Sequence, residues 1–277
     1  MKKVIVQLQG GLGNQLFQIS FAYNLAHIIK ANLAIDKSAF LLDRDFGRKF
    51  ELNKLNFNQC SLIDQFFLYL NRFIYKIFKI KIIKFFNIVF INDSENKRYE
   101  NKFYNYDYSN IKKIYVVGFF QSIKYSKSKY ILKKFYNNMK INHKVISLGR
   151  KISKKDIFIG MRFYEENKYF QNSFGGVENY KFYLNKLRYI RNIDCIYLMS
   201  TKNLLNELFY KQLIHKKKIL NNIFTNEEQL YLMSKFHKMI ISNSTFYFWG
   251  LFFSNNFNFK KNMKYLISKK FVNKDII

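Results

Sequence analysis

VIVQLQGGLGNQLFQISFAYNLA, residues Val4–Ala26, is the stretch that decides the fold. Val4–Leu8 is short, β-branched and apolar on both faces, which predicts a buried parallel strand. Glycines follow at Gly10, Gly11 and Gly13. Asn14–Lys30 then carries Leu16, Phe17, Phe21, Leu25 and Ile28 at helical spacing. Ala31–Asp36 predicts a second strand, so the chain opens as a βαβ unit of an α/β fold. Glycine lets the backbone turn sharply and approach a ligand. The helix start adds N–H groups and the positive end of a dipole, which suit an anion. Two readings stay open here: a nucleotide loop, or a strand–turn–helix junction that needs glycine for packing. The dinucleotide pattern G-x-G-x-x-G is missed, since Leu16 stands where its third glycine belongs, and no G-K-[ST] follows. Asp36 is the residue that keeps an NAD-dependent alternative open, as a ribose ligand.

Further along, IYVVGFF (Ile114–Phe120) has buried-strand character. A second βα series starts near residue 150. Asp156–Arg162, Cys195–Ser200, Lys238–Asn243 and Lys264–Ser268 read as strands. Val177–Ile190, Thr201–Leu213, Glu227–Phe236 and Ser244–Ser254 read as helices. NHKVISLGRKISKKD, near residues 140–155, is polar enough for a linker. The expected organisation is therefore two α/β halves, 1–150 and 151–277.

Composition narrows the classes. With 277 residues and 49% hydrophobic side chains, the chain can bury a sizeable core. It has 48 Lys+Arg against 18 Asp+Glu, a net +30, a field that attracts polyanions. Its 32 Phe, 21 Tyr and absent Pro fit A/T-rich coding, which accounts for much of the lysine. The charge is scattered and no RNA- or DNA-binding motif is present, so no nucleic-acid partner is expected. Cys60 and Cys195 stand far apart, and the four His form no metal-ligand spacing, so neither a disulfide framework nor a His/Cys zinc site is expected. MKKVIVQLQGG meets glycine before any cleavage-type segment, so no secretory leader and a cytoplasmic location are expected. Phe66–Ile91 is rich in aromatics but interrupted by Arg72, Lys76, Lys79, Lys81 and Lys84. A spanning helix needs about 20 nearly uncharged residues. The region reads as amphipathic basic helices. They either pack within their domain or lie peripherally on the anionic inner face of a membrane.

Two places carry chemistry. IGMRFYEEN sets Arg162 at the C-terminal end of a strand, the edge where open α/β sheets bind ligands, with Glu165 and Glu166 just beyond. Arginine's planar cation suits pyrophosphate oxygens, and a nearby carboxylate suits proton removal from a hydroxyl. An ordinary Arg–Glu surface pair is the alternative. SNSTFYFWG (Ser242–Gly250) puts hydroxyls where a strand hands over to a helix, with Ser244 or Thr245 as cap, phosphate contact or both. The DRD at Asp43–Asp45 lies in a charged loop and reads as solvated.

Taken together, GGLGNQLFQISFAYNLA, GFFQSIKY (Gly118–Tyr125), IGMRFYEE (Ile159–Glu166), YLMS (Tyr231–Ser234) and IISNSTFYFWG (Ile240–Gly250) resemble, in order, the bacterial α-1,2-fucosyltransferases of glycosyltransferase family 11. The resemblance implies a GT-B architecture, two Rossmann-like domains facing a cleft, with the acceptor mainly on the N-terminal side and the GDP-sugar on the C-terminal side. It implies inverting transfer of L-fucose from GDP-β-L-fucose to the 2-hydroxyl of a galactoside, with no metal or cofactor, in O-antigen or capsule (lipopolysaccharide-type) synthesis. The acceptor glycan would be galactose-containing and, in one reading, lipid-linked. Arg162 falls on the first arginine of the family's H-x-R-R-x-D motif and Glu165 on its acidic position; Glu166 is the other candidate base. Gly11, Gly13, Asn14, Ser200, Asn243, Ser244 and Thr245 would contact the donor, and Gln121 the acceptor. Departures are Gly160 for the motif's His, Phe163 for its second Arg, and Glu165 for its Asp. MSTKN (Met199–Asn203) stands where acidic residues are usual, and Ser268 where Pro is frequent. A transferase for another nucleotide sugar would keep every feature except the sugar.

Overall fold

The computed structural model describes residues 1–41, 48–93, 98–162, 176–200, 208–220, 224–254, 256–257, 264–270 and 276. It divides into two units, Met1–Asn138 together with Ile276, and a second drawn from residues 139–272. The sequence reading drew this division at 150.

In chain order the first unit contains β1 (Lys3–Gln7), α1 (Leu12–Ile28), β2 (Asn32–Asp36), α2 (Ser38–Leu41), β3 (Asn58–Gln59) and α3 (Leu62–Phe78). It continues with β4 (Ile82–Phe85), β5 (Ile88–Asp93), α4 (Lys102–Asn105), β6 (Lys113–Gly118) and α5 (Tyr130–Asn137). The sheet runs β3-β2-β1-β6-β5-β4, parallel throughout except for the β4–β5 hairpin. Val4, Ile5 and Val6 are fully buried, as a strand with neighbours on both edges and helices on both faces requires. Helix α1 is buried almost all round. Its polar residues find partners inside: Ser20 Oγ donates to Ser126 Oγ (2.6 Å), and Asn24 Nδ2 to the Tyr125 carbonyl (2.8 Å). Phe21 stacks on Phe120 with ring centroids 3.9 Å apart, and Phe103 and Tyr125 pack edge-on around them. This aromatic cluster fixes the segment that leaves β6.

The second unit contains α6 (His143–Arg150), β7 (Ile157–Met161), α7 (Tyr180–Leu187), β8 (Cys195–Ser200) and α8 (Leu208–Gln212). After these come β9 (Lys216–Ile219), α9 (Asn226–Met233), β10 (Lys238–Ile241), α10 (Thr245–Ser254) and β11 (Lys264–Ile267). Its sheet, β11-β10-β7-β8-β9, is wholly parallel. The chain winds outward from β7 through β8 to β9, then returns to the other side of β7 with β10 and β11. That is a Rossmann-like, doubly wound order whose switch point lies between β7 and β10. Helix α10 reads TFYFWGLFFS and is apolar on nearly every face; Phe248, Trp249 and Leu251 are fully buried, as such a helix must be.

Two expectations are corrected. The stretch taken for a linker contains helix α6, capped by Asn142, whose Oδ1 accepts from Lys144 N (2.9 Å). The basic aromatic region is one helix followed by an antiparallel hairpin, since Ile82–Phe85 pairs with Ile88–Ile91. No helix among the described residues is long and apolar enough to cross a membrane.

Candidate functional site

In the second unit, five sequence-selected residues, Arg162, Ser200, Asn243, Ser244 and Thr245, lie at the C-terminal edge of the sheet. Strand β7 ends at Met161 and hands the chain to Arg162. Met161 is in register with Ser200, the last residue of β8, while Gly160 is in register with Ile241 of β10. Ser242 N donates to the Gly160 carbonyl (2.9 Å), so the Ser242–Thr245 turn begins beside the approach to Arg162. The Ser244 carbonyl accepts from Phe248 N (2.9 Å), which makes Ser244 the residue from which α10 starts. Arg162 and the start of α10 thus flank the switch point between β7 and β10, the position where doubly wound sheets bind ligands, and Ser200 stands at the same sheet edge on the other side of β7.

Buried tyrosines set this edge. Tyr247 Oη donates to the carbonyls of Met161 (3.1 Å) and Met199 (3.2 Å), joining the ends of β7 and β8. Its ring lies on Gly160: a Cβ there would sit 2.8 Å from Tyr247 Cγ and 2.9 Å from Phe158 Cε1. Glycine at 160 is therefore a packing requirement of this chain. Burial raises the pKa of the Tyr183 phenol, with Tyr247 adding to it, while Ser242 and the Arg162 backbone pull against that rise. Tyr183 is thus held neutral beneath the edge.

Asn243 is a clamp. Its Nδ2 donates to the carbonyls of Gly176 (2.8 Å) and Lys270 (3.4 Å). The same corner holds Glu178, buried, which accepts from Ser268 Oγ and lies 3.7 Å from Lys270 Nζ. Lys270 Nζ also donates to the Val177 carbonyl (2.6 Å). Sequence reasoning missed Glu178, Lys270, Tyr183 and Tyr247. Only Tyr247 had a local signal, its place within the SNSTFYFWG turn. Glu165 and Glu166 lie outside the described residues, as does the DRD at 43–45.

The first unit's glycine loop lies at the same edge of its own sheet, between β1 and β6. Gly10 has φ +77°, and a Cβ there would fall 2.5 Å from Asn14 Nδ2. Gly11 caps α1 with no side-chain cap bond, and the side chain of Arg48 lies alongside it. Asn14 Oδ1 accepts from Gln121 Nε2 (2.9 Å), so these two assigned residues are brought together. Gly13 is buried inside α1. Gln15, fully buried, donates to the carbonyls of Gly10 and Lys49 (both 2.8 Å) and accepts from Glu51 N (3.0 Å). Gln18 Oε1 accepts from Gln9 N (3.0 Å), and Arg72 donates to Gln9 Oε1. The Asp36 carboxylate, on which the NAD alternative rests, is engaged by Gln7 Nε2 (2.7 Å), Ser38 N (2.9 Å) and Ser38 Oγ (2.7 Å). Its role is to turn the chain from β2 into α2.

At the same edge, burial pushes Asp93, at the end of β5, up to about 7, with Lys81 opposing and Glu100 reinforcing. Among the described residues, no group of three or more His, Cys, Asp or Glu is placed to hold a metal ion.

No protein-family model matches the chain. It is 50% identical over 52 residues to the O-antigen biosynthesis glycosyltransferase WbnK of Escherichia coli, a match covering 18% of this chain and 17% of that protein. The chain thus spans about a sixth of the length of that curated relative. Solved structures with a similar chain trace include a mutant of Arabidopsis thaliana FUT1 in complex with GDP, with TM-score 0.48 and 11% identity over 90% of this chain and 67% of that one. The NodZ α-1,6-fucosyltransferase soaked with GDP-fucose gives 0.48 and 10%, over 90% and 91% of the two chains. POFUT1 in complex with GDP gives 0.46 and 10%, over 96% and 98%.

Proposed function

We propose that the protein is a glycosyltransferase that moves L-fucose from GDP-β-L-fucose, with inversion, to the 2-hydroxyl of a galactoside in bacterial surface-glycan synthesis. The observation that carries this reading is that Arg162 and the Ser244 helix start flank one switch point, with Ser200 at the same sheet edge on the other side of β7. The partial match to an O-antigen glycosyltransferase supports it. In the reaction, the acceptor oxygen forms a bond to C1 of fucose as the bond from C1 to the diphosphate oxygen breaks. The electron pair leaves with GDP, whose negative charge grows in the transition state. Arg162 and the N–H groups at the start of α10 meet that charge as fixed donors, each worth a few kcal/mol in such sites (roughly 2.7–4 for one well-placed donor). The same pair makes a bound metal unnecessary. The hydroxyl proton passes to Glu165 or Glu166. In this assignment Ser244, Thr245, Ser200 and Asn243 hold the donor, with Gly11, Gly13 and Asn14 as further donor contacts and Gln121 as an acceptor contact.

The test is incubation of the purified full chain with GDP-fucose and a panel of β-galactosides, with and without EDTA, followed by product mass and linkage analysis. A fucosyl-α-1,2-galactoside formed equally in EDTA is the expected product. GDP release only from another nucleotide sugar would overturn the donor assignment, and loss of activity in EDTA would overturn the metal-free step.

A further inference from the structure

Helix α3 is built inside out. Its buried positions are Asp64, Leu68, Asn71 and Tyr75. The two polar ones are satisfied within the unit: Asp64 accepts from Lys3 Nζ (3.0 Å), Lys113 Nζ (2.9 Å) and Tyr115 Oη (2.8 Å), and Asn71 Nδ2 donates to the carbonyls of Ile91 and Tyr115. The opposite stripe, at helical spacing, is Leu62, Phe66, Phe73 and Ile77, with exposures of 81%, 63%, 61% and 55%. A helix of a water-soluble surface has the reverse arrangement, so this apolar stripe is a surface made to be covered.

The adjoining hairpin adds to it. Its two-residue loop, Phe86–Asn87, joins Phe85 to Ile88. Phe86 has φ +50° and is 82% exposed. Glycine ordinarily fills such a position, and an aromatic side chain there is held at a cost. Local preference therefore does not explain this residue; an exposed aromatic tip does something else. The hairpin and the start of α3 meet at one residue: Lys113 N donates to the Asn87 carbonyl (3.3 Å), and its Nζ binds Asp64.

The charge contributed by this segment is almost wholly positive, with Asp107, from outside it, near Lys84. Between Leu62 and Asp93 the only carboxylates are Asp64 and Asp93, and both are buried. Lys76, Lys79 and Lys84 are exposed beside the apolar residues. A second copy of this chain would bring the same cations, and another +30, against them. An anionic bilayer offers both what the stripe needs and what the lysines need: hydrocarbon for Leu62, Phe66, Phe73, Ile77 and Phe86, and headgroup charge for the ammonium groups.

We infer that α3 and the β4–β5 hairpin form a peripheral docking surface for an anionic lipid bilayer, with α3 lying in the plane of the interface. This stands apart from the proposed transfer reaction and does not depend on it. The test is co-sedimentation of the full chain with vesicles of phosphatidylcholine alone and of phosphatidylcholine with phosphatidylglycerol, at low and high salt. Binding is expected only to the mixed vesicles, and weaker in salt. Phe86→Asn keeps a residue that tolerates the positive φ, and Phe66→Gln and Phe73→Gln change outward-facing positions of α3. The triple variant should lose binding at least tenfold with an unchanged melting temperature, and Phe86→Asn alone should weaken it. A control carrying Lys144→Glu and Lys151→Glu, on the second unit, should bind nearly as wild type. Three results would each overturn the inference. One is undiminished binding by Phe86→Asn and the triple variant, and another is equal binding to both vesicle types. The third is a dimer in sedimentation velocity that the triple variant abolishes.

Discussion

In each unit a parallel strand hands over through a short turn to a buried helix, β1 to α1 and β10 to α10, yet the two sheet edges are furnished differently. In the first unit the edge is knitted largely from amides, with Arg48 beside Gly11 and Arg72 bonded to Gln9. Gln15 spans three backbone groups, Gln9 joins Gln18 to Arg72, and Asn14 pairs with Gln121. In the second unit the corresponding edge carries a guanidinium at Arg162, hydroxyls at Ser200 and Ser244, and the N-terminus of the buried helix α10. The conspicuous glycine motif therefore marks a loop whose geometry is fixed from within. The less conspicuous turn after β10 has the groups that suit a diphosphate. Glycine-rich turns draw attention in a sequence because backbone needs are legible there. Charge complementarity appears only when strands that are distant in sequence become neighbours.

The largest effect that would break this contrast is on turnover. Arg162→Ala should lower the rate with GDP-fucose by about 10²–10³-fold, the scale for losing one preorganised donor, while thermal unfolding stays unchanged. Near-normal turnover would remove Arg162 from the mechanism. Next is Gly160→Ala, whose Cβ would press on Tyr247 and Phe158. Overpacking of this kind costs about 1–3 kcal/mol, read as a lower denaturant midpoint. Because Tyr247 ties Met161 to Met199, activity should fall with it. In the first unit, Gln15→Ala should cost about 1–3 kcal/mol by stranding buried backbone groups. Its effect on GDP affinity should be far smaller than that of Arg162→Ala. The reverse pattern would move the anion site to the first unit.

The last prediction concerns pH. Asp93 is pushed up to about 7 by burial, above an ordinary value of 3.8. The folded state thus holds this proton more tightly than the unfolded chain. The stabilisation is complete below about pH 3.8 and is lost as pH rises towards about 7. Melting curves of wild type and Asp93→Asn between pH 4 and 8 should therefore diverge across that interval, with the variant lacking this decline. Parallel curves would show that Asp93 titrates as an ordinary carboxylate.

Much of the α/β alternation was legible because buried parallel strands are short apolar runs. Cys195–Ser200 has the bounds its sequence suggests, and β7, β10 and α10 lie where their patterns put them. Helix α6 was not legible. In HKVISLGR only Val145 and Gly149 are buried, too few to give a helical period, so lysine and polarity dominated the reading. The hairpin Ile82–Asp93 was hidden because apolar residues separated by single lysines fit either period. At the candidate site, Arg162 and Ser244 were visible from their place at strand ends. Glu178, Ser268 and Lys270 were not, because their mutual contacts link residues about 90 positions apart and leave no local mark.

The central claim is that the second unit's switch point receives the nucleotide diphosphate. Hydrogen–deuterium exchange of the full chain, with and without saturating GDP, tests it most directly. Slowed exchange is predicted at the end of β7, around Arg162, and over Ser242–Phe248. Protection confined to Gly10–Gln15, or none in the second unit under saturating GDP, would contradict it.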